Sequence, residues 1–256
     1  MTKVSVVLAV FNEESNLKTC LNSVKDLAWE IVVVDGGSKD KTLDIAKEFD
    51  AKIIRTNNPP IFHINKNKAI DASSGDWILQ LDADEIVTKG LVEEIIKVTA
   101  LKSNVNGYWI PRKNFFLGRF LTKGGQYPDY TLRLYRRGFG RLPAIDVHEQ
   151  AVVEGKVGFL KNDLLHLRDK SFSIYLERFN RYTDLFSSQL KEAGIKKGIF
   201  TFIDFLLFKP LFWFIKTYFR HRGYVDGFPG FVFALFSSLR FPVAFLKFWI
   251  HYENRD

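Results

Sequence analysis

The sequence predicts an α/β fold with an aromatic-rich helical C-terminal region. Three observations carry that prediction. Short β-branched runs alternate with helix-spaced apolar residues over the first hundred positions, acidic clusters follow three of those runs, and 14 of the 25 Phe lie at or beyond Phe200. The 256 residues suit one globular unit with an appendage, and hydrophobic and charged fractions of 46% and 26% exclude a disordered chain and a polytopic membrane protein. The lone Cys20 excludes a disulfide scaffold and Cys-rich zinc sites and makes a reducing compartment the default. Against 29 Asp and Glu, 37 Lys and Arg leave a net +8, the sign expected for a polyanionic partner: nucleic acid, a phospholipid surface or a phosphorylated substrate.

Val4 to Val10 is apolar but runs straight into Asn12-Glu13-Glu14 without a small-residue cleavage site, so it reads as a buried strand rather than a signal peptide. Leu17, Leu21 and Val24 then recur at helical spacing. Strands follow over Glu30 to Val34, Lys52 to Arg55 and Trp77 to Leu81, and helices near Thr42 to Phe49, Asn65 to Ala72 and Leu91 to Thr99. Such alternation implies right-handed crossovers, with ligands at the carboxyl ends of the strands.

Those ends carry Phe11-Asn12-Glu13-Glu14, Asp35-Gly36-Gly37-Ser38-Lys39-Asp40-Lys41-Thr42 and Asp82-Ala83-Asp84-Glu85. Each cluster alone is explained by capping or a turn, Asp40 as an N-cap and Gly36-Gly37 as the turn. Capping does not require Asp82 and Asp84 one residue apart. Carboxylates at i and i+2 of a strand end can approach one hard cation, Mg²⁺ or Mn²⁺, which takes its other ligands from water and phosphate. Neither a Walker pattern nor Gly-x-Gly-x-x-Gly occurs. Asp35 then suits hydrogen bonds from a nucleobase or ribose.

These three segments resemble the family two glycosyltransferases with the GT-A fold, over roughly residues 3 to 170. The resemblance implies a Rossmann-like mixed sheet, a nucleotide-sugar donor held by Phe11, Glu13, Asp35, Gly37, Ser38 and Asp82, and a divalent cation on Asp82 and Asp84. Phe11 stands where the family usually has Tyr, and Ala9 where it often has Pro. Arg55 and Lys68 are further candidates for nucleotide or phosphate contact, although a solvated face explains each alone. The stretch Tyr127 to Gly138, with Val147-His148-Glu149, is similar to the subgroup that adds sugars to the lipopolysaccharide core, particularly its β-glucosyltransferases. That likeness places the acceptor half at 101–170, after a nucleotide-sugar half at 1–100.

Inversion at an anomeric carbon needs a base for the acceptor hydroxyl while the nucleotide diphosphate leaves from the opposite face. Asp129, stiffened by Pro128, is the expected base by its position in the family pattern, with Glu149 in reserve and His148 as a third metal ligand. Among Arg133, Arg136 and Arg137 a partner for diphosphate or acceptor phosphate is expected, although their alternation with Leu132, Leu134 and Tyr135 equally suits a strand with one solvated face.

The extension, 171–256, begins with an amphipathic helix, Phe172 to Leu190, with Tyr175, Phe179, Tyr182 and Phe186 along one stripe. Ile199 to Phe219 is broken by Asp204, Lys209 and Pro210, and the runs Phe228 to Leu239 and Phe241 to Ile250 are split by Arg240 and Pro242, so none is expected to cross a bilayer. Residues 199–252 are read as an interfacial segment on an anionic, cytoplasmic-side membrane surface that carries the lipid-linked acceptor glycan. A re-entrant hairpin or a homo-oligomer contact would use the same residues. Nucleic acid is not the expected partner, because the aromatic block is too apolar for a stacking groove. A non-enzymatic lipid- or polyanion-binding module is the alternative function, and it leaves the acidic sheet edge idle.

Overall fold

The protein, as a computed structural model, is described for residues 2–144, 150–169 and 171–253. In chain order its elements are β1 (Val4–Val10), α1 (Leu17–Val24), β2 (Glu30–Asp35), α2 (Thr42–Glu48), β3 (Lys52–Arg55), α3 (His63–Asp71), β4 (Trp77–Leu81), β5 (Glu85–Val87) and α4 (Lys89–Ala100). There follow β6 (Val105–Phe116), β7 (Arg119–Phe120), β8 (Asp129–Arg136), β9 (Gly140–Arg141), β10 (Val152–Val153), β11 (Lys156–Phe159) and β12 (Leu164–Asp169). The helices α5 (Phe172–Glu192), α6 (Ile199–Ile203), α7 (Lys209–Phe214) and α8 (Gly227–Glu253) complete the chain.

Two compact units divide these residues: Met1–Arg112 with Asp129–Leu167, and Lys113–Pro128 with Arg168–Asp256. The segment 113–128 therefore groups with the C-terminal helices, although it falls within the 101–170 half in sequence. In the first unit the sheet runs β3-β2-β1-β4-β8-β6-β12-β5. The pairs β3–β2, β2–β1 and β1–β4 are parallel and β4–β8 and β8–β6 antiparallel, which makes the sheet mixed. Strands β1, β2 and β4 are almost wholly buried because helices cover both faces, which is why they read as continuous apolar runs rather than alternating ones. Val6, Leu8, Val33 and Leu79 pack on one face with Leu17, Leu21 and Leu91, and Val7, Val32, Val34 and Ile78 on the other with Ala69 and Ile70.

The second unit is held by aromatic rings. Phe172, Tyr175 and Phe179 of α5 meet Phe236 of α8 edge-on at 5.4–5.6 Å, and Phe186 meets Phe241 at 5.9 Å. Residues 199–220 form one helical run in which Asp204–Phe208 and Ile215–Arg220 are π-helical. The split expected at Arg240 and Pro242 is absent: α8 passes through both for 27 residues, about 40 Å at 1.5 Å per residue. The stretch Gly223–Ile250, which takes in the turn before α8 and most of α8, has a mean hydropathy of 1.6 and is long and apolar enough to cross a membrane by length and composition. Packing along α5 and the ring pairs on either side of Pro242, Phe186 with Phe241 before it and Phe205 with Phe245 after it, keep the helix continuous where local propensity alone would break it.

Candidate active site

Register brings the acidic clusters together. Val10 lies opposite Asp35 across the β1–β2 pair, and Leu8 lies opposite Leu81 across β1–β4. The Asp82–Asp84 turn thus emerges level with Asp35 on the far side of β1, about 10 Å away at two strand spacings.

The first two loops are laced to each other. Asn12 takes a left-handed conformation (φ 55°) and donates its N–H to Ser38 Oγ at 2.9 Å, while its Oδ1 accepts from Lys39 N–H at 2.9 Å. Glu13 N–H donates to Thr42 Oγ1 at 2.7 Å. Asp40 is not the N-cap of α2, a place Lys41 takes without a side-chain bond; one residue earlier, it ties the two loops together, accepting from Thr42 N–H at 3.0 Å and Glu14 N–H at 3.1 Å. Asp35 is 1% exposed, and its oxygens accept from the N–H groups of Gly37 and Ser38 at 3.1–3.2 Å. Gly37 needs its freedom at φ +90°, and a Cβ on Gly36 would stand 3.0 Å from Asn58 Cβ. Phe11, the first residue after β1, keeps an exposed side chain. Lys68, on the exposed side of α3, donates to Thr56 Oγ1 at 2.8 Å beside the end of β3.

At the third strand end the buried cation is Lys66. Its ammonium contacts Asp82 Oδ1, and Arg133 Nη2 lies 2.5 Å from Asp82 Oδ2. Burial pushes the Asp82 carboxyl up, but the Arg133 and Lys66 cations override this and hold it well below the usual carboxylate range. Burial likewise pushes the Lys66 ammonium down. Glu85, fully buried, accepts Asp82 N–H at 2.9 Å and Arg133 Nη2 at 2.9 Å. Arg112 donates to Asp129 Oδ2 from Nε at 3.0 Å and Nη2 at 2.7 Å. Asp84 faces His166, with 3.3 Å between Oδ2 and Nε2.

Among the described residues no group of three or more His, Cys, Asp or Glu is placed to hold a metal ion. Asp84 and His166 nevertheless form a carboxylate–imidazole pair of the type that supplies two ligands to Mn²⁺ or Mg²⁺, leaving the remainder to water and phosphate. The donor set fits such an ion through Asp84, whereas both oxygens of Asp82 are occupied by cations. His148 and Glu149 lie outside the described residues.

Of the three arginines on β8 and just after it, Arg133 points into the acidic cluster. Arg136 donates to the Ser103 and Val105 carbonyls and covers Trp77, and Arg137 donates to the Gly75 carbonyl. Lys66, Arg112 and His166 are site residues that sequence reasoning missed, and Glu85, read as part of the acidic cluster, was given no role of its own. Two lysines two apart on α3 point to different sides, so one must face inward, but periodicity does not say which. The alternation of Leu164, His166 and Arg168 on β12 places His166 on one face of that strand.

A sheet whose parallel strand ends gather acid around a glycine loop, continued by antiparallel strands, is the architecture of a GT-A glycosyltransferase. The chain belongs to Glycosyl transferase family 2, whose family model matches residues 5–147. It is 32% identical over 241 residues to the lipopolysaccharide core biosynthesis glycosyltransferase LpsC of Rhizobium meliloti, covering 92% of this chain and 87% of that one. To the glycosyltransferase RT0209 of Rickettsia typhi it is 28% identical over 254 residues, covering 94% and 85%. The crystal structure of S. aureus TarS matches with a TM-score of 0.50 at 17% identity, over 88% of this chain and 46% of that one, a likeness of fold.

Proposed function

We propose that this glycosyltransferase is an inverting, metal-dependent hexosyltransferase that moves a sugar from a UDP-linked donor, with UDP-glucose the first to test, onto a lipid-borne glycan of the lipopolysaccharide core type. The observation that carries the reading is the convergence of the β1, β2 and β4 ends on one sheet edge. The similarity to LpsC over nearly the whole chain supports the acceptor class.

In this reading Phe11, Glu13, Asp35, Gly37, Ser38 and Lys68 cradle the nucleoside, and Asp82 meets the donor beside them. Lys66 and Arg133 bring positive charge to the place the diphosphate occupies. A bound Mn²⁺ or Mg²⁺ supplies Lewis-acid stabilisation of the leaving group, and Asp84 and His166 would hold it, with His148 as the other candidate ligand. Asp129 takes the proton of the acceptor hydroxyl as that oxygen attacks the anomeric carbon, and the bond to the diphosphate breaks on the opposite face. Glu149 is the second candidate base.

The C-terminal unit supports work at a membrane. Phe200, Leu207, Phe208, Leu211, Phe212 and Phe219 are each more than half exposed along the 199–220 run, and Phe228 at the start of α8 is 74% exposed. This outer face is apolar where a water-facing helix would be polar. Residues 196–222 carry six Lys or Arg against one Asp, a charge that repels a second copy of itself and attracts an anionic bilayer. Residues 1–170 thus serve as the catalytic domain and 199–252 as its seat on the inner face of the cytoplasmic membrane.

Release of UDP from UDP-glucose with Mn²⁺ and lipopolysaccharide from a strain deleted for this gene tests the reading. Asp129→Asn is expected to lower turnover by about 10²- to 10⁴-fold, the usual contribution of a general base. Turnover near that of the wild type removes Asp129 from the mechanism.

A further inference from the structure

Asp129 sits at one end of a chain of side chains with alternating charge. From the other end, Lys66 contacts Asp82, Asp82 Oδ2 lies 2.5 Å from Arg133 Nη2, and that nitrogen lies 2.9 Å from Glu85 Oε1. The same Glu85 oxygen is 3.4 Å from Arg112 Nη1, and Arg112 closes on Asp129 Oδ2 through Nε and Nη2 at 3.0 and 2.7 Å. Backbone geometry imposes the last step, because Arg112 and Asp129 are register partners on the antiparallel strands β6 and β8. Glu85 is fully buried, and the turn that bonds its N–H to the Asp82 carbonyl at 3.0 Å fixes where it stands.

We propose that Arg112, anchored by Glu85, is the positioning residue for Asp129, setting the plane in which that carboxylate meets the acceptor hydroxyl; this rests on the reading of Asp129 as the base. Two guanidinium nitrogens on one carboxylate oxygen fix the carboxylate's direction as well as its charge, and the third nitrogen, on Glu85, keeps the guanidinium from turning. A lysine in place of Arg112 retains the charge and loses the fork. Because Arg133 joins the same Glu85 to Asp82, the orientation of the base and the donor motif share one buried carboxylate.

The test compares wild type, Arg112→Met, Arg112→Lys, Asp129→Asn and the Arg112→Met/Asp129→Asn double variant, with UDP-glucose, Mn²⁺ and lipopolysaccharide from the deletion strain. UDP affinity, by calorimetry, reports an intact donor site in each. Arg112→Met is expected to lower kcat by about 100-fold, the usual cost of a misplaced reacting group, with the KM for UDP-glucose and the UDP affinity unchanged. Arg112→Lys is expected to recover part of that loss. The double variant is expected to be no slower than Asp129→Asn alone, since a residue that acts through Asp129 has nothing to position once the base is gone.

Losses that multiply in the double variant, full recovery in Arg112→Lys, or wild-type kcat in Arg112→Met beside an inactive Asp129→Asn would each overturn the proposal while leaving the base in place. A parallel loss of UDP affinity in Arg112→Met overturns it too, because a general structural role then accounts for the kinetics. An active Asp129→Asn instead overturns the base assignment and this proposal with it.

Discussion

At the scale of single residues, the carboxylates of this protein divide between holding the backbone and holding charge. Glu30 exemplifies the first kind: it accepts from the hydroxyls of Ser5 and Ser74 and from the N–H groups of Ser74 and Gly75 at 2.5–3.2 Å. Burial pushes its carboxyl up, but those donors override it and hold it below its ordinary value of 4.5. A group lowered on folding stabilises the native state above its unfolded value and loses that contribution as pH falls through the folded one. Glu30→Gln is therefore expected to cost about 0.5–1 kcal/mol at pH 7, a figure kept small by solvent screening of a partly exposed carboxylate, with the gap to wild type closing as the pH falls below about 4; denaturant melts across pH measure it, and a gap that stays constant rejects the assignment. Asp82 exemplifies the second kind, and its partners show where sequence reading stops. The Asp82-Ala83-Asp84 pattern was legible because two acids one residue apart exceed what capping needs. That Lys66 and Arg133 would neutralise Asp82, and that Asp84 would face His166, depends on which side of α3, β8 and β12 meets the strand end, which is a matter of packing.

At the scale of elements, β1, β3 and β4 have the bounds expected from the sequence and β2 ends one residue later, because buried parallel strands are apolar throughout and are punctuated by turn residues. Strand β5 escaped notice: three residues starting at a buried Glu inside an acidic cluster resemble a loop until β12 pairs with them. Long α8 was likewise hidden, since Arg240 and Pro242 are helix-ending signals that the ring contacts of α5 outweigh. The π-helical turns at 204–208 and 215–220 have no sequence signature of their own, and they carry the exposed rings of Phe208 and Phe219. Those outward rings make a test at this scale. Phe200→Ser, Phe212→Ser and Phe228→Ser together are expected to reduce co-sedimentation with vesicles of phosphatidylglycerol by at least about tenfold, given about 0.8 kcal/mol per buried methylene-sized group. Raised salt is expected to weaken wild-type binding to those vesicles. Equal binding by variant and wild type would assign the exposed stripe to another surface.

At the scale of the whole molecule, the division of labour follows from what each part of the chain can bury. The first unit covers its sheet on both faces and spends its polar residues at one edge. Lys113–Pro128 and Arg168–Asp256 form a second unit that leaves a row of Phe uncovered. The sheet and its acidic edge were legible in the sequence because strand ends and turn residues mark them. The charge chain from Lys66 to Asp129 was not, because its six members come from α3, β5, β6, β8 and the turn after β4. Catalysis in this account depends on that edge holding a divalent cation against the donor diphosphate. Calorimetric titration of UDP with and without Mn²⁺, in wild type and Asp84→Ala, tests this most directly. The account predicts that Mn²⁺ tightens UDP binding by at least about tenfold in wild type, at 1.4 kcal/mol per tenfold, and leaves it unchanged in Asp84→Ala. Undiminished tightening by Mn²⁺ in Asp84→Ala, or none in wild type, would contradict it.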